Sequence, residues 1–143
     1  MDDLQKAIEI FNEGDCTCLL VKGTRVMKGY TSGIQPMIDF ISSREDIFGF
    51  SVASKVVGKA TALLFVYSGI KNVYGEKVSE SAIKVFEKHG LNYEAKEITN
   101  EIYEEDVSDT YILEKAVENI DDSFTAYSIL YAKLQELKGH IFF

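Results

Sequence analysis

The chain has 143 residues, of which 46% are hydrophobic, 27% are charged and one is proline. This is the composition of a folded globular protein, and we expect one domain over residues 1–143 that buries a sizeable core. The formal net charge is −8, with acids concentrated between Asn100 and Asp109; because such a surface repels a phosphate backbone, general nucleic-acid binding is not expected.

The first predicted element is an amphipathic helix that Asp2 or Asp3 caps and Gly14 ends. Its apolar side consists of Leu4, Ala7, Ile8 and Phe11. Acids stand at its start where a signal peptide has basic residues, and no apolar run of the chain approaches the roughly 20 residues that span a bilayer. We therefore expect a cytoplasmic protein without a membrane partner.

Two strands follow as a hairpin around Gly23-Thr24, with the sequences CTCLLVKG and RVMKGY. Cys16 and Cys18 are two positions apart in the first strand, so both thiols are expected to point together into the core. We interpret them as small buried hydrophobic residues in a reducing compartment. The alternative is half of a metal site, for which further ligands are not obvious.

A short helix with the sequence PMIDFISSR comes next, with its proline in the first turn. Ser51 or Ser54 then caps a central helix that runs to about Ser68, where Gly69 ends it. The part of this helix after Ala60 is apolar all round. That pattern predicts a helix covered by other elements on nearly every side.

A third strand, KNVYGEKVS, a helix that Ser79 caps and Gly90 ends, and a fourth strand, LNYEAKEI, form a predicted β-α-β unit. Its strands are expected to be parallel neighbours with a right-handed crossover. Helical patterns then cover Thr110 to Ile120 and Ser123 to Lys138, and the tail GHIFF is either a last strand or a contact with another subunit. The order of elements predicts an α/β fold with three layers, α-β-α, around a mixed sheet.

The Gly58-Lys59 pair is not interpreted as part of a phosphate-binding P-loop. That motif has a glycine five residues before the Gly-Lys pair, where this chain has Ala53, and Ser or Thr after the lysine, where it has Ala60. The pair is also expected inside the central helix, whereas a P-loop lies between a strand and a helix.

The predicted order of elements is that of the cytidine deaminase fold, whose zinc enzymes carry H-x-E at the start of the central helix and P-C-x-x-C later. This chain has VASKVVG at the first place and no cysteine after Cys18. His89, at a helix end, and His140, in the tail, are interpreted as structural residues. We therefore expect no zinc, no other cofactor and no deaminase activity.

Three segments resemble the DUF1893 family, small bacterial and archaeal proteins with a deaminase-like fold: AIEIFNEGDCTCLLVKG, GFSVASKVVGKATALLFVYSGIKNVYGEKVSESAIKVFEKHGLNYE and ILEKAVENIDDSFTAYSIL. The resemblance spans about Leu4 to Leu134. It implies a cytidine deaminase-like fold, a cytoplasmic location and a scaffold that lacks the usual zinc site. It does not imply an activity.

The positions that match the family pattern are Lys55, Gly58 and Lys59. This chain departs from the pattern at Ser54, where members usually have Asp, and at Tyr111-Ile112, where they usually have Cys-Pro. The departures remove an acid and a thiol, which argues further against ancestral chemistry. We interpret Gly58 as a residue that allows close packing of a helix.

The start of the central helix is the candidate ligand site, formed by Lys55, Lys59, Ser54 and Ser51. The two lysines are one predicted helical turn apart near the positive helix end, where they would attract a phosphate, a carboxylate or a nucleotide. The alternative is that both lysines, with Ser51, lie on the one solvated stripe of this helix.

The favoured function is noncatalytic binding of an anionic small molecule or a partner. One alternative is an enzyme that uses Lys55 as a nucleophile or base. Another is a structural oligomeric adaptor. In each case we expect a homo-oligomer, most simply a dimer, that associates through the aromatic final helix and the tail.

Overall fold

The computed structural model describes residues 2–103 and 108–139 of the chain. Within them it contains five strands and six helices, in this order: α1 (Asp3–Glu13), β1 (Cys18–Lys22), β2 (Arg25–Gly29), α2 (Gln35–Ser42), β3 (Ser51–Val57), α3 (Lys59–Ser68), β4 (Asn72–Ser79), α4 (Glu80–His89), β5 (Asn92–Thr99), α5 (Asp109–Ala116) and α6 (Ser123–Leu137). The predicted tail strand or subunit contact lies outside the described residues, as does His140.

The strands form one mixed sheet with the order β2-β1-β3-β4-β5. Strand β1 is antiparallel to both β2 and β3, whereas β3, β4 and β5 are parallel to one another. This arrangement confirms the predicted hairpin and the predicted parallel pair. Because β3 is the central strand, the chain that follows it enters the middle of the fold.

Helices cover both faces of the sheet, which confirms the three-layer α-β-α fold. Helix α1 packs Ala7 and Phe11 against one face, where they contact Leu19 and Tyr74 among others. The other face carries the larger core, to which α2, α3, α4, α5 and α6 all contribute. Helix α3 contacts the other four helices of this layer, and its residues from Ala60 to Phe65 are all buried.

Local capping signals lie where the sequence places them. The Asp2 carboxylate accepts a hydrogen bond of 2.8 Å from the Gln5 N–H at the start of α1. The Ser79 hydroxyl accepts one of 3.1 Å from the Ala82 N–H at the start of α4. Gly69 and Gly90 end α3 and α4 in the left-handed conformation, with φ of 78° and 68°.

The main error of the sequence analysis concerns Ser51–Val57, which is strand β3 and not the beginning of the central helix. Ser51 pairs with Val21 of β1 and with Asn72 of β4. A central strand is buried on both faces, so its apolar residues run almost continuously and resemble a buried helix. The predicted caps Ser51 and Ser54 are therefore wrong, and the fifth strand lies before α3.

Contrary to expectation, the side chains of the two cysteines do not point together into one core. Both are buried and free, but Cys16 packs in the α1 layer while Cys18 packs in the larger core on the other face. Burial raises the pKa of the Cys18 thiol to about 12, so this thiol is protonated at neutral pH. Residues 2–103 and 108–139 contain no group of three or more His, Cys, Asp or Glu side chains placed to hold a metal ion.

Two smaller findings complete the fold. Helix α5 ends at Ala116, before the predicted Ile120, and α6 ends at Leu137, one residue before the predicted end. In the part of the chain that the structure describes, no helix combines the length and the apolar character needed to cross a membrane.

Candidate functional site

The start of α3 is closed by a carboxylate from a distant part of the chain. Gly58 is the N-cap residue, and the next two N–H groups both donate to Glu114 of α5. The Lys59 N–H lies 2.9 Å from Glu114 Oε1, and the Ala60 N–H lies 2.8 Å from Oε2. A negative group is favourable at the positive end of a helix, so the protein fills this helix terminus with its own side chain.

Glu114 is placed by α5, which begins after the capping residue Ser108. Its neighbour Leu113 is buried in the core, and Glu114 itself is only 8% exposed. Burial raises the pKa of the Glu114 carboxyl above its ordinary value, while the hydrogen bonds from the Ala60 and Lys59 N–H groups act in the opposite direction. The carboxyl thus combines a structural role with a perturbed acidity.

Gly58 leaves space for this carboxylate. A Cβ atom at residue 58 would lie 2.7 Å from Glu114 Oε1 and would also collide with the side chain of Ile102. Its φ of −103° is open to any residue, so the need for glycine comes from space and not from backbone conformation. The close packing expected at Gly58 is therefore the approach of α5 to the start of α3.

A cavity of about 390 Å³ lies beside this capping contact. Helices α3, α4 and α5 form its walls, together with the segments that follow β5 and α5. Its lining consists of Lys59, Leu63, Ser81, Lys84, Val85, Lys88, His89, Glu101, Tyr103, Glu114, Lys115, Glu118 and Asp121. Lysine and carboxylate side chains dominate this list, so we call it the charged cavity.

Ion pairs join the helices around the charged cavity. The exposed Asp121 carboxylate lies 3.9 Å from Lys59 Nζ and 3.4 Å from Lys88 Nζ, and thus bridges α3 and α4. Lys59 Nζ also donates a hydrogen bond of 2.8 Å to the Glu118 carbonyl oxygen. The Glu118 carboxylate in turn pairs with Lys115 at 2.9 Å. Two cations from different helices therefore converge on one carboxylate at the cavity wall.

One lysine and one glutamate of the lining stand outside the ion pairs that join other charged side chains. Lys84 and Glu101 are both exposed, and neither has an ion-pair partner within residues 2–103 and 108–139. The Tyr103 hydroxyl hydrogen-bonds the Glu101 side chain, which raises the pKa of Tyr103 to about 12. The Tyr103 hydroxyl therefore keeps its proton at neutral pH and donates it to the Glu101 side chain.

The structure does not bring the four candidate residues of the sequence analysis together. Lys59 lines the charged cavity, whereas Lys55 is exposed on β3 and shares the α1 side of the sheet with Ala53. Ser51 is 1% exposed and accepts a hydrogen bond from the Asn72 amide. Ser54 is 5% exposed and hydrogen-bonds Cys18.

These positions correct three statements. The placement of Lys55 at the start of the central helix is wrong, and so is the solvated helical stripe that would hold both lysines with the buried Ser51. The Gly58-Lys59 pair does lie between a strand and a helix, so one of three reasons against a P-loop falls. The other two remain, because Ala53 and Ala60 occupy positions where that motif requires glycine and a hydroxyl residue.

Sequence reasoning missed Glu114, Lys84 and Lys88. The lysines had a usable signal: with Ser81 they follow helical spacing on one side of α4, the type of pattern that was assigned to Lys55 and Lys59. Glu114 had none, because its partner is 55 residues away in the sequence. Its run LEKAV belongs to one of the segments on which the family resemblance rests, and the structure joins it to the Gly58-Lys59 segment.

The structure defines an α/β protein with a mixed five-stranded sheet, and comparison with known proteins identifies its family. The sequence model of TM1506, the domain of unknown function DUF1893, matches residues 6–134. The chain therefore belongs to the DUF1893 family, as the sequence resemblance implied.

The solved structures similar to the chain include the following two. The DUF1893 family protein TM1506 from Thermotoga maritima has a TM-score of 0.81 and 25% sequence identity, over 92% of this chain and 89% of that one. The dCMP deaminase of the cyanophage S-TIM5, in its apo form, is a weaker match with a TM-score of 0.46 and 14% identity, over 65% of this chain and 93% of that one. No curated protein matches the chain.

Proposed function

We propose that the protein binds a small molecule through an anionic group in the charged cavity, and that it does so without deaminase chemistry. The observation that carries this proposal is the convergence of Lys59 and Lys88 on Asp121. Cations from two helices meet at one point of the wall, and a largely exposed side-chain carboxylate lies between them. A phosphate or carboxylate of a ligand would find the same two cations, with Lys84 beside them.

The size of the cavity supports this function. Ligand-binding pockets for small molecules span about 300 to 1,000 Å³, and the charged cavity has about 390 Å³. Its walls come from different helices, so a bound molecule would contact several elements at once. The anion is assigned to the lysine side chains and not to the N-terminus of α3, because Glu114 already accepts the first N–H groups there.

A thermal-shift series tests the proposal. The unfolding temperature is measured with inorganic phosphate, small carboxylates and AMP at increasing millimolar concentration. A ligand that binds only the folded state stabilises it by about 2.7 kcal/mol at a hundredfold excess over its Kd. We expect at least one of these anions to raise the unfolding temperature of the wild type, and Lys84→Ala and Lys88→Ala to reduce that rise.

Lys55→Ala is the matched control, since Lys55 is also an exposed lysine but lies on the other side of the sheet. It should keep the full shift. A shift that survives Lys84→Ala and Lys88→Ala but disappears in Lys55→Ala would move the site to β3. An unfolding temperature that no anion changes would remove the proposed function.

A further inference from the structure

We propose that the ligand of the charged cavity is a zwitterion, a molecule with an ammonium group as well as its phosphate or carboxylate. This inference rests on the proposed function and specifies the chemical class of the ligand. Amino acids and aminoalkyl phosphates are members of this class. It follows from the balance of charges in the cavity, from their distribution over its walls, and from the two exposed charged side chains that form no ion pair among the described residues.

The charges of the lining are balanced. Four lysines and four carboxylates contribute: Lys59, Lys84, Lys88, Lys115, Glu101, Glu114, Glu118 and Asp121. A strongly anionic ligand such as a triphosphate would meet as many like charges as opposite ones, and so would a simple cation. A molecule that itself carries both signs meets a favourable charge at each end.

The accessible charges lie on different walls of the cavity. Ser81, Lys84 and Lys88 are on one side of α4 and present cations and a hydroxyl to the cavity. Glu101 and Tyr103 are in the segment after β5 and present a carboxylate and an aromatic ring to the same space. Carboxylates and aromatic faces are the groups that bind an ammonium ion in proteins.

The ion pairs within the lining show which carboxylate is left for an ammonium group. Lys59 and Lys88 share Asp121, and Lys115 pairs with Glu118. Glu114 is engaged at both oxygens by the start of α3. Among the described parts of the chain, this leaves Glu101 as the carboxylate for the ammonium of a ligand, and it adds Lys84, a lysine without an ion pair, to Lys59 and Lys88 at the anionic end.

Matched pairs of probes test the inference by titration calorimetry. One pair is O-phosphoethanolamine and ethyl phosphate, and the other is 5-aminopentanoate and pentanoate. Within each pair the anion is kept and only the ammonium is lost, so the comparison also shows whether phosphate or carboxylate is preferred. We expect the ammonium member of the preferred pair to bind about tenfold tighter, the size of one charge-assisted hydrogen bond.

Two variants assign that preference to residues. Glu101→Gln should bring the affinity of the ammonium probe down to that of its partner, while leaving the binding of ethyl phosphate or pentanoate unchanged. Lys84→Ala should weaken both members of a pair by a similar factor. Glu97→Gln, which changes an exposed glutamate of β5 outside the cavity, should leave the preference intact.

The results separate this inference from the proposed function. If ethyl phosphate or pentanoate binds the wild type as tightly as its ammonium partner, the inference that the ligand is a zwitterion is wrong, but the anion site remains. A preference that survives Glu101→Gln likewise overturns the assignment. If neither pair binds, both the inference and the anion site fall. Circular dichroism spectra that match the wild type show that the exposed-site variants remain folded.

Discussion

Glu114 is a buried residue whose charge is tied to the fold. Burial raises the pKa of its carboxyl above 4.5, the ordinary value, so the folded protein holds this proton at a higher pH than the unfolded chain does. The group therefore favours the folded state at acidic pH. That contribution is lost as the pH rises through the range from the ordinary value to the raised value.

The first prediction compares the wild type with Glu114→Gln, which cannot titrate at this position. We expect the free energy of unfolding of the wild type, relative to the variant, to fall as the pH is raised from about 4 to about 7. Urea unfolding at a series of pH values measures the difference. Glu118→Gln, in the segment that follows α5 and exposed, is the control. A difference that grows with pH would show that the backbone hydrogen bonds outweigh burial.

The second prediction concerns the space at Gly58. Gly58→Ala places a methyl group only 2.7 Å from Glu114 Oε1, so we expect a loss of about 1–3 kcal/mol in the free energy of unfolding. Gly14→Ala is the control, because Gly14 also has a negative φ and its added Cβ meets only an ordinary contact at 3.5 Å. Denaturant titration of both variants gives the comparison, and equal losses would contradict the steric explanation.

At the scale of elements, the starts of helices could be predicted from the sequence because local interactions determine them. Asp2 and Ser79 begin helices because their side chains accept N–H groups three residues ahead, which the sequence displays directly. Strand β3 was not predictable in this way, because its burial comes from β1, β4 and α1, and a strand buried on both faces lacks the alternation that identifies one.

The ligand site predicted from the sequence depended on how β3 was assigned. Once β3 was assigned to a helix, Lys55 was placed one turn from Lys59, although the two residues lie on different elements with different surroundings. The charged cavity needs four non-adjacent segments to be assembled, and no spacing along the chain shows that assembly. Only the lysines of α4 had a pattern that a single sequence can reveal.

The third prediction addresses the end of α3. Gly69 and Gly90 both have positive φ, but an added Cβ at Gly69 would meet the Phe48 ring, whereas nothing lies within 4 Å of one at Gly90. Each change to alanine should cost about 1 kcal/mol for the backbone, and Gly69→Ala should cost more because of the ring. Thermal unfolding of the two variants tests the order. A Gly90→Ala variant that is the less stable of the two would contradict it.

At the scale of the whole molecule, a row of aromatic rings crosses the surface of α3 and α6. Tyr67 stacks on Tyr127 with ring centroids 4.7 Å apart, and Phe124 and Tyr131 extend the row at 6.1 and 6.0 Å. Phe124 is 61% exposed and Tyr131 is 40% exposed. Neighbouring exposed aromatic side chains are typical of surfaces that bind another protein.

The fourth prediction is that this row joins two copies of the chain, since twofold contacts are the commonest form of self-association. Light scattering at tens of micromolar should give the mass of a dimer, and Phe124→Ser should shift the protein towards the monomer. Phe48→Ser is the control, because Phe48 is 69% exposed but lies outside the row. A monomeric wild type would end this hypothesis, and a dimer that Phe124→Ser leaves intact would place the interface elsewhere.

The bond between Lys59 and Glu114 also sets an order of events during synthesis. The two residues are 55 positions apart, so a ribosome has made α3, β4, α4 and β5 before it adds Glu114. Until then the first N–H groups of α3 have no carboxylate to receive them. A nascent chain that folds α3 before α5 is made would therefore have no Glu114 at the start of this helix, and only the arrival of α5 would supply it.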